Sequence, residues 1–178
     1  MKSIFSITGG LTAIALVLSV NYVRVGPSDI YPKVGGAINT EITQENINET
    51  VCNPNWTTKS IRPSSSYTNK LKKAQMEQLG LQGEMKDYEE DHLISLVLGG
   101  HPTSTYNLWP QPYKASIPDG GARNKDKVEN FLHSRLCNGD ITLKEAQHVI
   151  VKDWYKVYQG MVKKGIDKNV SDIDPDEK

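Results

Sequence analysis

The chain lacks the compositional extremes that mark several specialised protein classes. Its 178 residues include only two cysteines, and Lys+Arg and Asp+Glu are equal at 21 each. Balanced charge argues against a protein that coats nucleic acid through bulk positive charge. An apolar fraction of 37% with 24% charged residues is typical of a folded domain of ordinary composition. The length is sufficient for one domain with its own core.

Several catalytic and binding motifs are also missing. The glycine-containing segment 99–104 does not continue into Gly-Lys-Ser/Thr, so it is not a phosphate-binding P-loop. There is no Gly-x-Ser-x-Gly nucleophile elbow. Neither a Cys-x-x-Cys pair nor a Cys/His cluster is present, which disfavours a zinc site.

Only one long apolar run exists, at the N-terminus. No charge occurs from residue 3 to residue 23, and Lys2 precedes the run. This pattern predicts that residues 1–26 are a signal peptide. A small-x-small cleavage site is missing, so a single-span membrane anchor is the alternative, and a buried helix of the domain is a third. The first two place the rest of the chain outside the cytoplasm: periplasmic, secreted, or anchored to the outer face of the inner membrane.

The two cysteines fit that compartment. Cys52 and Cys137 form an even pair, and an even pair in an exported chain predicts a disulfide. Two free buried thiols are the alternative.

Composition divides the chain into four parts. After residues 1–26, the Gly- and Pro-containing segment 27–46 is predicted to be a linker. Residues 47–165 form the predicted domain. The polar and acidic segment 166–178 is expected to be a disordered tail.

Apolar spacing and capping residues predict three helices and a loose hairpin within that domain. The helices are expected at 68–79, capped by Thr68 and ended by Gly80, at 123–137, and from Thr142 onward, where Thr142 and Glu145 make a capping box. The two strands are expected at 93–98 and 107–109, the second being stopped by Pro110 and Pro112.

The most informative stretch runs from residue 91 to residue 100 and reads Asp-His-Leu-Ile-Ser-Leu-Val-Leu-Gly-Gly. Asn107 follows His92 by fifteen positions. A carboxylate beside an imidazole can serve metal-assisted hydrolysis, because neutral imidazole is available as a base near pH 7. An amide can hold the ring in one tautomer, directly or through backbone.

This arrangement resembles the ββα-metal finger of HNH (His-Me finger) endonucleases. The resemblance implies an α+β, mainly α fold in which a hairpin and a helix pack with additional helices. It implies that Asp91 binds a divalent ion (Mg²⁺, or Mn²⁺), that His92 activates water and that Asn107 orients His92. The implied partner is a nucleic acid substrate, DNA ahead of RNA. Ser95 departs from the family pattern, which usually has proline there.

The second metal ligand in that family comes from the start of the helix. Asn124 is the first choice here, and Asp126 and Glu129 are alternatives, because hard cations prefer oxygen ligands. Glu129 also lies four residues after Lys125, so a plain helix salt bridge is an equal interpretation.

A wider resemblance, from about residue 51 to residue 158, is to small exported bacterial proteins with an HNH-like centre. The expected function is therefore an exported metal-dependent endonuclease. A non-catalytic periplasmic binding or structural module on the same scaffold is the alternative. A basic stretch comprises Lys59, Arg62, Lys70, Lys72 and Lys73. A solvated helix face accounts for it, and phosphate contact is the functional alternative.

Overall fold

The computed structural model describes residue 32 and residues 34–177, so the predicted N-terminal export segment lies outside the described residues. The fold is α+β and mainly α, as predicted. One two-stranded antiparallel sheet and three helices follow the chain order helix, strand, strand, helix, helix. They are α1 (Ser65–Leu79), β1 (Tyr88–His92), β2 (Leu108–Pro112), α2 (Ala122–Cys137) and α3 (Leu143–Lys163).

Local capping fixes the helix ends. The Ser64 side chain accepts from the Tyr67 amide, so α1 begins three residues before the predicted start at Thr68. Gly80, at φ 63°, ends α1 as predicted, since glycine tolerates the left-handed conformation. The capping box of Thr142 and Glu145 is present at the start of α3.

The first strand is not the apolar run that the sequence suggested. Residues 88–92 form β1, while residues 93–98 form a buried loop that ends in the 3-10 turn Leu96–Leu98. Period-2 burial, which a strand with one solvated face would show, is missing because this segment is buried on all sides. Side chains hold part of its backbone, since Asn107 accepts from the Ile94 amide and Asp176 accepts from the Leu96 and Val97 amides.

The second strand is longer than predicted and contains both prolines. β2 pairs with β1 so that Pro110 lies opposite Glu90 and Pro112 opposite Tyr88. Proline has no N–H to donate to a neighbouring strand. In the described sheet β2 pairs only with β1, so its other edge has no partner strand that would need such a donor. The strand therefore continues through both prolines instead of ending before them.

The expected linker is part of the fold from residue 34 onward. The Gly36 amide donates to the Tyr106 carbonyl (2.8 Å), and the Asn39 amide donates to the Gly99 carbonyl (2.8 Å). Ile42 is buried in the core. The segment is polar in composition, yet two of its backbone amides donate to the loop that joins the two strands.

Residues 166–177, which were expected to form a disordered tail, contact the rest of the chain in the structure. Asp174 and Asp176 are buried, and Arg62 pairs with Asp174 at 2.9 Å. The Asn130 side-chain amide donates to the Ser171 and Ile173 carbonyls. The acidic composition of this segment suggested disorder. Its partners, Arg62 and Asn130, lie far away in sequence and could not be recognised from the segment alone.

The hydrophobic core lies between α2, α3 and the loop at 94–98, and Trp154 and Ile150 are fully buried in it. The predicted disulfide joins Cys52 to Cys137, with Cα atoms 5.3 Å apart. It fastens the segment before α1 to the end of α2. Within residues 32 and 34–177, no helix combines the length and apolar character needed to cross a membrane.

Breaking this bridge should lower stability. The loop it closes spans 85 residues, for which chain entropy gives an upper figure of about 4–5 kcal/mol. We expect Cys52→Ala/Cys137→Ala to lower the free energy of unfolding in urea by up to that amount. Reduction of the wild type with dithiothreitol should reproduce the effect. Equal unfolding midpoints for all three samples would contradict it.

Candidate functional site

The hairpin presents Asp91 and His92 to different surroundings, because successive strand residues point to opposite faces. Asp91 lies opposite Trp109 in the ladder and faces α2, where it contacts Lys125. His92 faces the loop between the strands and the C-terminal segment. The two residues are adjacent in sequence but engage different partners.

His92 is buried and bound at both ring nitrogens. Its Nε2 lies 2.9 Å from the Pro102 carbonyl oxygen, and its Nδ1 lies 3.1 Å from Asp176 Oδ2. Both partners are acceptors, so both nitrogens carry protons in this arrangement. Burial lowers the pKa of His92, but the Asp176 hydrogen bond and charge, with the Pro102 carbonyl, raise it above its ordinary value overall. The His92 side chain is only 5% exposed.

Asn107 does not touch the His92 ring. Its Oδ1 accepts from the Ile94 amide (2.9 Å), while its Nδ2 donates to the carbonyls of Ile94 (2.9 Å) and His101 (3.1 Å). These bonds close the loop that carries the Pro102 carbonyl. Gly100 is required beside it, since a Cβ there would lie 1.7 Å from the Ile94 carbonyl oxygen. Asn107 is therefore linked to the His92 ring only indirectly, through the backbone of the loop that carries Pro102.

Lys125 occupies the centre of the site, which the sequence analysis did not predict. The side chain is completely buried, and its Nζ donates to Asp91 Oδ2 (2.8 Å), to the His92 carbonyl (2.8 Å) and to Glu129 Oε1. Three acceptors satisfy the three ammonium protons. Burial lowers the pKa of Lys125, but the charges of Asp91 and Glu129 outweigh it and raise the pKa above the ordinary value.

A sequence signal for this lysine existed. Lys125 precedes Val128 by three residues and Leu132 by seven, so it falls on the apolar face of α2. A lysine at such a position must be buried, and it then needs anionic partners.

Next to Lys125 lies a group of buried carboxylates. Oxygens of Asp126, Glu129 and Asp174 lie within 4.8 Å of one another. Burial, followed by the charge of Glu89, raises the pKa of Asp126 to about 9. Burial, followed by the charge of Asp176, raises the pKa of Asp174 to about 6. Burial also places the pKa of Glu129 well above its ordinary value, although Lys125 opposes this.

The predicted metal ligands are brought together only in part. Asp91 and Glu129 meet, but through the Lys125 ammonium that lies between them. The Asn124 side-chain amide instead donates to the Asp119 carbonyl (3.0 Å), in the loop before α2. The alternative ligand Asp126 does lie beside Glu129. The salt-bridge interpretation of Lys125 and Glu129 is thus correct for the described conformation.

Two members of the basic stretch also have internal roles. Lys72 is buried and donates to the Met85 and Tyr88 carbonyls, and Arg62 pairs with Asp174. A second group of metal-ligating residue types, Cys52, His133 and Cys137, lies together, but the two sulfurs form the disulfide.

No protein-family model, curated protein or solved structure matches this chain. The HNH resemblance therefore stays a prediction from the sequence.

Removing the lysine charge should destabilise the site strongly. Lys125→Met leaves Asp91 and Glu129 buried without a cation, a loss of about 3–5 kcal/mol. Lys127→Met, on the same helix with a partly exposed side chain, should change stability by less than about 0.5 kcal/mol. Urea unfolding followed by tryptophan fluorescence measures both. Equal losses in the two variants would remove Lys125 from the centre of the site.

Proposed function

We propose that the protein is an exported, divalent-metal-dependent phosphodiesterase of the HNH type, acting on nucleic acid with His92 as general base. One observation carries the proposal. The His92 ring is fixed by a backbone carbonyl in a loop that Asn107 closes, and Lys125 joins the His92 backbone to a buried group of carboxylates. A general base must have an oriented ring, and the Pro102 carbonyl supports this role because it can hold a proton on Nε2 and so fix the ring.

The carbonyl contact selects the nitrogen that would react. A proton on Nε2 is held by the Pro102 carbonyl, so Nδ1 is the atom that takes a proton from water. In the described conformation Nδ1 is paired with Asp176 instead. The base role therefore requires two changes: Nδ1 must lose its proton to Asp176 or to solvent, and a water molecule must take the place of the Asp176 carboxylate at this nitrogen.

The residues around Lys125 suit a hard cation by donor type. The predicted set of Asp91, Asn124 and Glu129 does not assemble, because Asp91 Oδ2 is taken by Lys125 and Asn124 by Asp119. Glu129 Oε2, in contrast, is buried and has no hydrogen-bond partner. A divalent ion there would neutralise charge that develops on a phosphoryl group. Lys125 is completely buried, so its role is to position Asp91 and Glu129.

Support for a nucleic acid substrate, with DNA ahead of RNA, is a local feature. Lys59, Lys70 and Lys73 remain exposed and lie before or along α1. Exposed lysines of this kind can contact phosphates without a net positive chain. The disulfide supports an oxidising compartment and therefore export.

The first test is the base itself. His92→Ala should lower cleavage by about 10²–10⁴-fold, measured as nicking of supercoiled plasmid in Mg²⁺ or Mn²⁺ with an EDTA control. Because His92 is buried and bound to Asp176, the variant should also lose about 1–3 kcal/mol of stability. Activity is therefore compared at a temperature at which circular dichroism shows both proteins folded.

His148→Ala is the matched control, since His148 is exposed on α3. It should cleave like the wild type. Unchanged cleavage by folded His92→Ala would reject the base assignment.

A second candidate is the non-catalytic binding or structural module. The observation that favours it is the doubly bound His92 ring, which offers no free nitrogen in the described conformation. In that case His92 and Asp176 form a structural ion pair that holds the C-terminal segment.

Asp176→Ala separates the two candidates. If His92 is a base, removal of the carboxylate frees Nδ1 and cleavage should rise several-fold at temperatures where the variant is folded. If the pair is structural, the variant should lose stability, because Leu96 and Val97 amides lose their acceptor, and no cleavage should appear. Plasmid nicking and thermal unfolding on the same samples give both readings.

A further inference from the structure

The carboxylates of Asp126, Glu129 and Asp174 come from two distant parts of the chain. Asp126 and Glu129 lie in the first half of α2, three residues apart and so on one face of the helix. Asp174 belongs to the C-terminal segment that folds back over α2. All three are buried. Their potential ligand oxygens lie within 4.8 Å of one another, and two oxygens that share one hard cation at about 2.0–2.6 Å can be no more than about 5 Å apart.

The oxygens are not all used by the protein. Glu129 is 1% exposed, and its Oε2 has no hydrogen-bond partner. Asp126 Oδ2 also lacks a hydrogen bond and has only the Arg123 guanidinium at 3.7 Å. A buried carboxylate oxygen without a partner is costly, since the oxygen has lost its water and gained nothing. Such oxygens, converging at ligand spacing, point to a missing positive partner.

The local charges do not balance. Arg62, Lys125, Arg123 and His92 provide four positive groups in contact with the site. The interacting carboxylates number six: Glu89, Asp91, Asp126, Glu129, Asp174 and Asp176. Carboxyl groups therefore outnumber the cationic groups around the site by two, six against four.

We propose that Asp126, Glu129 and Asp174 bind a small divalent cation that prefers oxygen ligands, and that this ion fastens the C-terminal segment to α2. The ligand set differs from the set that the sequence resemblance implies, because it uses the tail and neither Asp91 nor Asn124. As the ion of the cleavage reaction, it rests on the proposed function. As a binding site, it is independent of any cleavage.

The decisive measurement is direct binding to the full protein without substrate. Mg²⁺, Mn²⁺ and Ca²⁺ are titrated by calorimetry after EDTA treatment and dialysis. At about a hundredfold excess of ion over Kd, thermal unfolding should shift upward by roughly 5–10 °C for at least one ion. Hydrogen exchange in residues 171–177 should slow with the same ion.

Conservative variants identify the ligands. Each of three variants should weaken ion binding by at least about tenfold: Asp126→Asn, Glu129→Gln and Asp174→Asn. Even the loss of a residue that only supports a metal ligand typically lowers metal affinity by about 10–100-fold, so the loss of a ligand should cost no less. Asp172→Asn is the matched control, because it makes the same change at an exposed tail position. It should bind like the wild type.

The order of the unfolding temperatures of Asp126→Asn and the wild type distinguishes a cation site from a simple loss of folding. In EDTA, Asp126→Asn should unfold at a higher temperature than the wild type, because a neutral amide replaces a buried carboxyl group that is crowded by Glu129 and Asp174 and has an oxygen without a hydrogen bond. With ion present the order should reverse.

The site is rejected if none of the three ions binds to the wild type, or if the three variants bind as well as Asp172→Asn. An ion that binds without slowing exchange in residues 171–177 rejects Asp174 as a ligand and the proposal with it. Ion binding without plasmid cleavage retains the site and rejects the nuclease, whereas cleavage without ion binding at these residues does the opposite.

Discussion

The buried ammonium of Lys125 is the interaction on which the rest of the structure depends. It joins the carboxylate of Asp91, the backbone carbonyl of His92 and the carboxylate of Glu129 in one place. The hairpin is thereby held to α2 by a charge, not by an apolar contact alone. An ammonium in a dry interior is unfavourable unless every proton and the charge are matched. Matching them requires the end of β1 and the first turns of α2 to keep fixed positions relative to each other. The loop closed by Asn107 and the C-terminal segment contact the residues that follow β1.

Local rules predicted what local interactions determine. The caps at Thr142 and Gly80 and the apolar stripe of α2 placed the helices, because each depends on residues within one or two turns. The apolar run 93–98 was misjudged as a strand for the same reason. Its conformation is set by Asn107, which binds Ile94, and by Asp176, which binds the Leu96 amide from 80 residues away. A window of a few residues contains neither partner.

The residues of the candidate site likewise fall into those that local sequence identified and those that it did not. Asp91, His92 and Asn107 were identified because their spacing is visible in the sequence, and all three are buried in the hairpin region. Lys125 was placed in a basic run, and Asp176 in a disordered tail. Both assignments used composition, which averages over neighbours and ignores the face of the helix or the distant partner. Charges that pair across a fold cannot be recognised until the fold brings them together.

Both proposed activities, the base role of His92 and the binding of a cation, involve residues of the C-terminal segment. The C-terminal segment is held by polar contacts at Asn130, Thr58 and Arg62, and by the Asp176 carboxylate, which accepts from the Leu96 and Val97 amides and pairs with His92. Each such bond contributes only about 0.5–3 kcal/mol net, because water competes for the same groups. A segment held in this way can exchange positions more readily than one buried by large apolar side chains. Asp176 is therefore better suited to a replaceable partner of His92 than a residue of the core would be. Whether His92 acts as a base then depends on the free energy that holds seven residues of tail against the hairpin and α2, and a cation bound at Asp174 would change that free energy directly.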